Sequence, residues 1–162
     1  MIDAITYKHI GIIHSPFSEI KGMPIQPSGA KGIKGTVELM PEYAVGLQDL
    51  EGFSHVILIY HMHLSTGFSL RVKPFLDDEL RGVFATRAPR RPNPIGLSVL
   101  RLIKIEGTIL HVEDIDIVDR TPLLDIKPYV PEFDMQETVR IGWLTEKAGK
   151  ASREKSDGRF GR

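Results

Sequence analysis

The sequence predicts a mainly β protein, a small antiparallel or mixed β-barrel with one or two short helices. Two observations carry this. Fifteen glycines and eleven prolines are spread along the 162 residues and cut the chain into short segments. The apolar segments between them are of strand length, and only one credible early helix stands among them.

Ile10 to His14 reads as a first strand, stopped by Ser15-Pro16. Residues 16 to 35 read as loop, with Pro16, Pro24, Pro27 and glycines at 22, 29, 32 and 35; a connection of that length in a compact domain is usually functional. Gly29-x-x-Gly32-x-x-Gly35 is not the dinucleotide-binding fingerprint and lacks its strand–helix setting. Thr36 to Met40 is a short strand, and Pro41 opens a helix over Glu42 to Leu50 that Gly52 ends. Ser54 to Leu64 is a long strand rich in β-branched residues, and Gly82 to Thr86 another. Ser98 to Ile105 and Thr108 to Ile115 form a hairpin around Glu106-Gly107, although the apolar spacing of the first also fits a helix. Asp116 to Pro122 reads as a turn region and Val139 to Leu144 as a last strand. Residues 1–144 are thus one barrel domain, and the polar tail 145–162 is expected to be disordered.

Lysine plus arginine and aspartate plus glutamate balance at 21 each, so any nucleic-acid contact must use a local patch rather than the overall field. The chain has no cysteine, which excludes disulfides, thiolate metal sites and a cysteine nucleophile. The N-terminus lacks the basic start and apolar core of a signal peptide, and the longest apolar run, Val56 to Tyr60, is far below a membrane span. A cytoplasmic protein is expected.

The stretch from Arg87 to Ser98 is the strongest functional signal. Pro89, Pro92 and Pro94 fix φ, remove backbone donors and push Ala88, Arg91 and Asn93 toward extended geometry. A stiff loop then holds Arg87, Arg90, Arg91 and Asn93, and guanidinium forks match phosphate and carboxylate oxygens. This is an anion or nucleic-acid site, set against the plainer reading of a proline-rich surface connection with solvated charges. Lys31, Lys34, Arg71, Lys73 and Arg81 would join these arginines in one positive face if the fold gathers them.

His55, His61 and His63 alternate along the long strand and share a side with Ile57 and Ile59. His61-x-His63 has the spacing of two metal ligands, but His55 lies about 20 Å away along an ideal strand at ~3.3 Å per residue. Hydrogen-bonded histidines near a barrel end are the favoured reading, and no metal is expected. Downstream, Asp114 and Asp116 alternate with Ile115 and Ile117 as on a half-buried strand, and Asp119 and Asp125 flank the Thr121-Pro122 turn. These carboxylates are expected to pair with the arginines of the proline loop; the functional alternative is that Asp125 and Lys127 line a pocket.

At these residues the chain resembles the TsaA-like family, also called YaeB or TrmO. The matching blocks run from Ile10-Gly11-Ile12-Ile13-His14-Ser15-Pro16-Phe17 and Pro24-Ile25-Gln26-Pro27 through Leu50-Glu51-Gly52-Phe53-Ser54-His55 and Gly82-Val83-Phe84-Ala85-Thr86-Arg87. They continue in Arg91-Pro92-Asn93-Pro94-Ile95-Gly96-Leu97-Ser98 and in Asp119 to Tyr129, with its Asp125-Ile126-Lys127-Pro128-Tyr129 end. The resemblance implies a β-barrel methyltransferase that uses S-adenosylmethionine, acts as a homodimer and methylates N6 of threonylcarbamoyladenosine beside the anticodon of tRNA. It implies cofactor contacts at Pro27, Ser28, Gly29, Met62, His63, Arg87, Leu97, Pro122, Leu123, Leu124 and Asp125. Ile25, Leu64 and Arg120 depart from the pattern, where many members have Arg, Gln and Gly; Arg120 is expected to impose a non-glycine turn.

The implied chemistry is in-line attack of N6 on a sulfonium methyl, which needs alignment at about 3–3.5 Å and benefits from a base. His63, Asp125 and Tyr129 are candidates for that base. Arg90, Arg91 and Lys127 are expected to bind the threonyl carboxylate and tRNA phosphates. The rivals are a non-catalytic RNA-binding barrel, a hydrolase using metal on His61 and His63, and a methyltransferase acting on another modified base or a small molecule.

Overall fold

The computed structural model describes residues 3–161. Its strands are β1 (Gly11–His14), β2 (Lys34–Leu39), β3 (His55–His61), β4 (Arg71–Val72), β5 (Arg81–Gly82), β6 (Ile95–Glu106), β7 (Ile109–Glu113) and β8 (Thr121–Pro128). Six of them close into a barrel in the order β1-β2-β7-β6-β3-β8, while β4 and β5 form a separate ribbon. Every pairing is antiparallel, so the mixed alternative falls away. The β6–β7 hairpin turns where expected: Glu106 pairs with Ile109, and Gly107 takes φ 61° between them.

Alternation explains the wall. Along β3, Val56, Leu58 and Tyr60 point into the barrel, and the intervening residues face out. Their neighbours inside are Leu100, Leu110, Val112, Leu123, Ile13 and Val37, all essentially inaccessible. Each such side chain contributes roughly 1.5–3 kcal/mol of burial. His55, Ile57, Ile59 and His61 therefore share the outer face, and His61 is exposed.

Several sequence expectations fail, each for a local reason. The helix over Glu42 to Leu50 is instead a 3-10 segment, Pro41–Leu47, followed by a short turn, Leu50–Gly52; Asp49 at φ 67° breaks helical geometry between them. The only α-helix among the described residues is Pro131–Asp134. The strand over Gly82 to Thr86 ends at Gly82, and Val83–Ala85 turn as a 3-10 segment. No strand forms over Val139 to Leu144, because the closed barrel leaves no edge for it to join. The unforeseen strand is β8, masked in the sequence by Pro122 and Pro128. Pro122 is its second residue and Pro128 its last, and the register with β3 shifts around Leu124, a bulge that relaxes the ladder.

The chain after β8, including the 145–162 segment expected to be disordered, lies back against the loops beside the barrel mouth. Trp143 Nε1 donates to the Ala85 carbonyl at 2.8 Å, Lys155 bridges Pro24, and Ser156 N donates to the Met23 carbonyl at 2.9 Å. Phe160 packs edge-on to Phe75 with centroids 5.1 Å apart and joins a small second cluster with Val72, Val83 and Ala88. Lys147 and Arg81 both pair with Asp77 at 2.6 Å. A few aromatic and charged anchors thus outweigh the polar average of the tail.

Candidate active site

A cavity of about 620 Å³ opens at the barrel end where β3 leaves and β6 enters. Ile20, Met23, Pro24, Ile25 and Gln26 of the long 16–35 loop form one wall. Thr86, Arg87 and Arg91 of the proline loop form another, with Ile95 and Leu97 at the start of β6 and Phe160 of the tail. Its size and mostly apolar lining with a few polar groups suit a small organic ligand.

The floor carries a chain of three hydrogen-bonded side chains. Tyr60 and Ser98 point inward from neighbouring strands, β3 and β6, and are 8% and 1% exposed. Asp116 lies between Ile115 and Ile117, both buried in the core, and its carboxylate is the one acidic group on the cavity lining. Ser98 donates to Asp116 Oδ1 at 2.7 Å, and Tyr60 lies 3.0 Å from Ser98 Oγ. With the single serine proton committed to Asp116, the Tyr60 hydroxyl is the donor to Ser98. Gly96 faces Tyr60 across the strand pair, and any Cβ there would collide with the phenol ring.

Burial pushes the Asp116 carboxyl up to about 6, while the Ser98 hydrogen bond and the Arg87 charge pull it down. Burial and then the Asp116 charge raise the Tyr60 phenol well above its ordinary value. Arg87 Nη1 donates to Gln26 Oε1 at 3.2 Å, tying the proline loop to the 16–35 loop across the cavity.

Of the residues singled out in the sequence, Ile25, Met62, Leu64, Arg87, Arg91, Asn93, Leu97 and Asp116 line the cavity. Arg91 also donates to the Thr86 carbonyl at 3.0 Å, and Arg90 donates to the Gly161 carbonyl at 3.0 Å, so the proline loop's arginines partly hold its own fold and the tail. Pro27, Ser28 and Gly29 form a 3-10 turn directly after the cavity residue Gln26. His63 lies beyond β3, with Nδ1 3.4 Å from the hydroxyl of Thr121, itself a lining residue. No group of three or more metal-binding side chains is present among the described residues.

Other candidates lie elsewhere. Leu123 is in the core, and Leu124 is at the bulge. Asp125 does not reach the proline-loop arginines; it pairs with Lys127 at 2.8 Å, both well exposed. Asp119 accepts from Ser15 N at 3.0 Å instead of from an arginine. Tyr129 stacks edge-on against His55, 6.3 Å between centroids, at the opposite end of β3. Arg81 is held by Asp77 and Glu79 rather than joining a free positive face. Arg120 keeps the left-handed turn that glycine favours, at φ 61°, contrary to the expectation of a non-glycine turn. The residues missed in the sequence are Tyr60 and Ser98. Their signal was only their inward parity on β3 and β6; Asp116 was noted for its alternation but not as a pocket residue.

Residues 12–135 match the model of the tRNA-methyltransferase O N-terminal domain. The chain belongs to that family. Among its relatives is a probable S-adenosyl-L-methionine-binding protein of Pyrococcus abyssi, 60% identical over 156 residues, which cover 96% of this chain and 85% of that one. The human tRNA (adenine(37)-N6)-methyltransferase is 37% identical over 139 residues, 80% of this chain but 31% of the human protein. The crystal structure of TrmO from Pseudomonas aeruginosa superposes with a TM-score of 0.73 at 40% identity, over 86% of this chain and 62% of that one. The chain thus spans about a third of the human protein and just under two thirds of the Pseudomonas one.

The cavity fits the methyl donor of this methyltransferase family. Phe75, Phe84 and Phe160 offer aromatic walls for a purine, and Arg87 and Arg91 offer guanidiniums for a carboxylate. No helix among the described residues is long and apolar enough to cross a membrane.

Proposed function

We propose that the chain methylates N6 of N6-threonylcarbamoyladenosine beside the anticodon of tRNA, in the cytoplasm, with S-adenosylmethionine as donor. The observation that carries this reading is the cavity, built from the motif-bearing proline loop and 16–35 loop of a tRNA-methyltransferase family domain. The donor supplies an activated methyl on sulfur. The protein's part is to orient it, exclude water and bring N6 into line at near-attack distance, about 3–3.5 Å.

Arg87 and Arg91 face the ligand space and bind anionic groups there, including the substrate's threonyl carboxylate. Arg90 and Lys127, away from the cavity, act on tRNA phosphates. The target base leaves the anticodon-loop stack to reach the cavity. The working unit is a homodimer. Ile95 and Leu97, 44% and 49% exposed, lead from the cavity onto the outer face of β3 and β6, where Ile57 and Ile59 add apolar surface. Contacts of Pro122, Leu124 and Asp125 with the donor, which their own cavity does not provide, would then be made to the partner's.

The test is a calorimetric titration with S-adenosylmethionine, followed by methyl transfer to tRNA with and without the threonylcarbamoyl group. Binding near one site per protomer and transfer only to the modified tRNA are expected. Binding with transfer to neither tRNA points to another modified base or a small molecule. No binding, with or without tRNA, leaves a non-catalytic RNA-binding barrel.

A further inference from the structure

Methylation of an N6 that still carries a hydrogen requires a proton acceptor, and the cavity narrows the choice. Its titratable lining residues are Tyr60, Arg87, Arg91 and Asp116. Arginine stays protonated, and the buried Tyr60 is held in its neutral form by burial and the adjacent Asp116 charge. Tyr129 lies at the far end of β3, His63 stands behind Thr121, and Asp125, outside its own protomer's cavity and brought to the donor only across the dimer, is already paired with Lys127.

We propose that Asp116 is the base that accepts the N6 proton, and that Ser98 and Tyr60 are the positioning residues that aim its carboxylate. The inference rests on the methyltransferase reading above. In the step, the N6 lone pair forms the bond to the methyl carbon as the carbon–sulfur bond breaks. The bonding pair leaves with sulfur as a neutral thioether, and the N6 proton passes to a carboxylate oxygen of Asp116. No redox partner or metal enters the balance.

Three features of the site favour this role. The Tyr60–Ser98–Asp116 chain runs from inside the barrel to the cavity floor, fixing the carboxylate with bonds of 3.0 and 2.7 Å. Ile115 and Ile117 are sunk in the core on either side, leaving Asp116 little freedom to turn away. A carboxyl at about 6 is ionised at neutral pH yet more basic than an ordinary aspartate, as a base for this step should be. The charged or titratable groups around it are Tyr60 from β3, Arg87 and Arg91 from the proline loop, and His63 through Thr121.

The test uses the full chain and threonylcarbamoylated tRNA. Single-turnover rates are measured between about pH 5 and 8 for the wild type, Asp116→Asn and Ser98→Ala, alongside calorimetric titration with S-adenosylmethionine and thermal melting. Expected are a wild-type acid limb near pH 6, a fall of about 100-fold or more in Asp116→Asn with the limb lost, and donor affinity within about threefold. Ser98→Ala keeps the base but removes a bond that favours its charged form, so its acid limb moves to higher pH. Asp116→Asn at near wild-type rate overturns the inference alone. A rate loss matched by lost donor affinity also overturns it, making the carboxylate a donor anchor. Should Asp116→Asn fail to fold, the Ser98→Ala limb decides, and an unmoved limb overturns the proposal. A wild type that binds the donor but methylates no tRNA overturns the substrate reading and this inference together.

Discussion

Asp116 and Asp125 stand on either side of the Asp119-Arg120 turn and look alike in the sequence, yet the fold gives them opposite surroundings. Asp125 lies on the outer face, half exposed, in an ion pair with an equally exposed Lys127. Water and salt screen that pair, and its worth is a fraction of a kcal/mol. Asp116 is drawn into the barrel mouth, where desolvation raises its pKa and the Ser98 hydroxyl, itself bonded to Tyr60, replaces part of the lost water. Reactivity here follows from where the wall turns a side chain, not from residue type. The wall itself is the first thing to break. Leu123 is fully buried between the two carboxylates. Leu123→Ala should cost about 3 kcal/mol in urea unfolding, as cavity-forming core substitutions do. A cost below about 1 kcal/mol would mean that the wall between the two environments is not packed as described.

A smaller change tests the mouth alone. Gly96→Ala drives a methyl group into the Tyr60 ring, and a ring wedged between β3 and β6 has little room to yield. About 1–3 kcal/mol of destabilisation is expected from overpacking. The displaced phenol should also loosen the Ser98–Asp116 pair, a shift that NMR titration of the Asp116 carboxyl would detect.

The buried carboxylate itself should lower the stability of the unliganded protein. Its folded pKa of about 6 lies above an unfolded value near 3.8, so the folded state binds more protons between those values. Its contribution therefore falls as pH rises from about 4 to about 6. Asp116→Asn should gain on the order of 2 kcal/mol over the wild type at pH 7, and little at pH 4. Asp77 behaves oppositely. Hydrogen bonds from Lys147 and then Arg81 hold its carboxyl well below the ordinary range, so its contribution is present at neutral pH and lost on strong acidification. Melting curves of the wild type and Asp116→Asn at the two pH values check the sign; a larger gain at pH 4 would contradict it.

The barrel was legible because alternation and turn residues are local signals. The inward parity of Val56, Leu58 and Tyr60 and the Gly107 turn both follow from the sequence. β8 was not legible, because the prolines that argue against a strand sit at its ends and its bulge relaxes the ladder. The contacts of the tail were not legible, because composition averages over the few residues, such as Lys147 and Phe160, that make them. For the site, the proline loop was visible as a motif. The Tyr60–Ser98–Asp116 chain was not, because three separate elements meet there only in the closed barrel.

The turn that separates the two carboxylates carries the smallest expected effect. Arg120 occupies φ 61°, where a Cβ costs roughly 1–2 kcal/mol. Its side chain is exposed, so little packing is lost on truncation. Arg120→Gly relieves the strain but enlarges the freedom of the unfolded chain, a loss of about 0.5–1 kcal/mol. The balance is a gain of a few tenths to about 1 kcal/mol, the reverse of what arginine to glycine does in an ordinary extended loop. Urea unfolding of the single variant reads it directly. A loss of more than about 1 kcal/mol would show that the arginine side chain, rather than the left-handed backbone, holds the turn that presents Thr121 to the cavity.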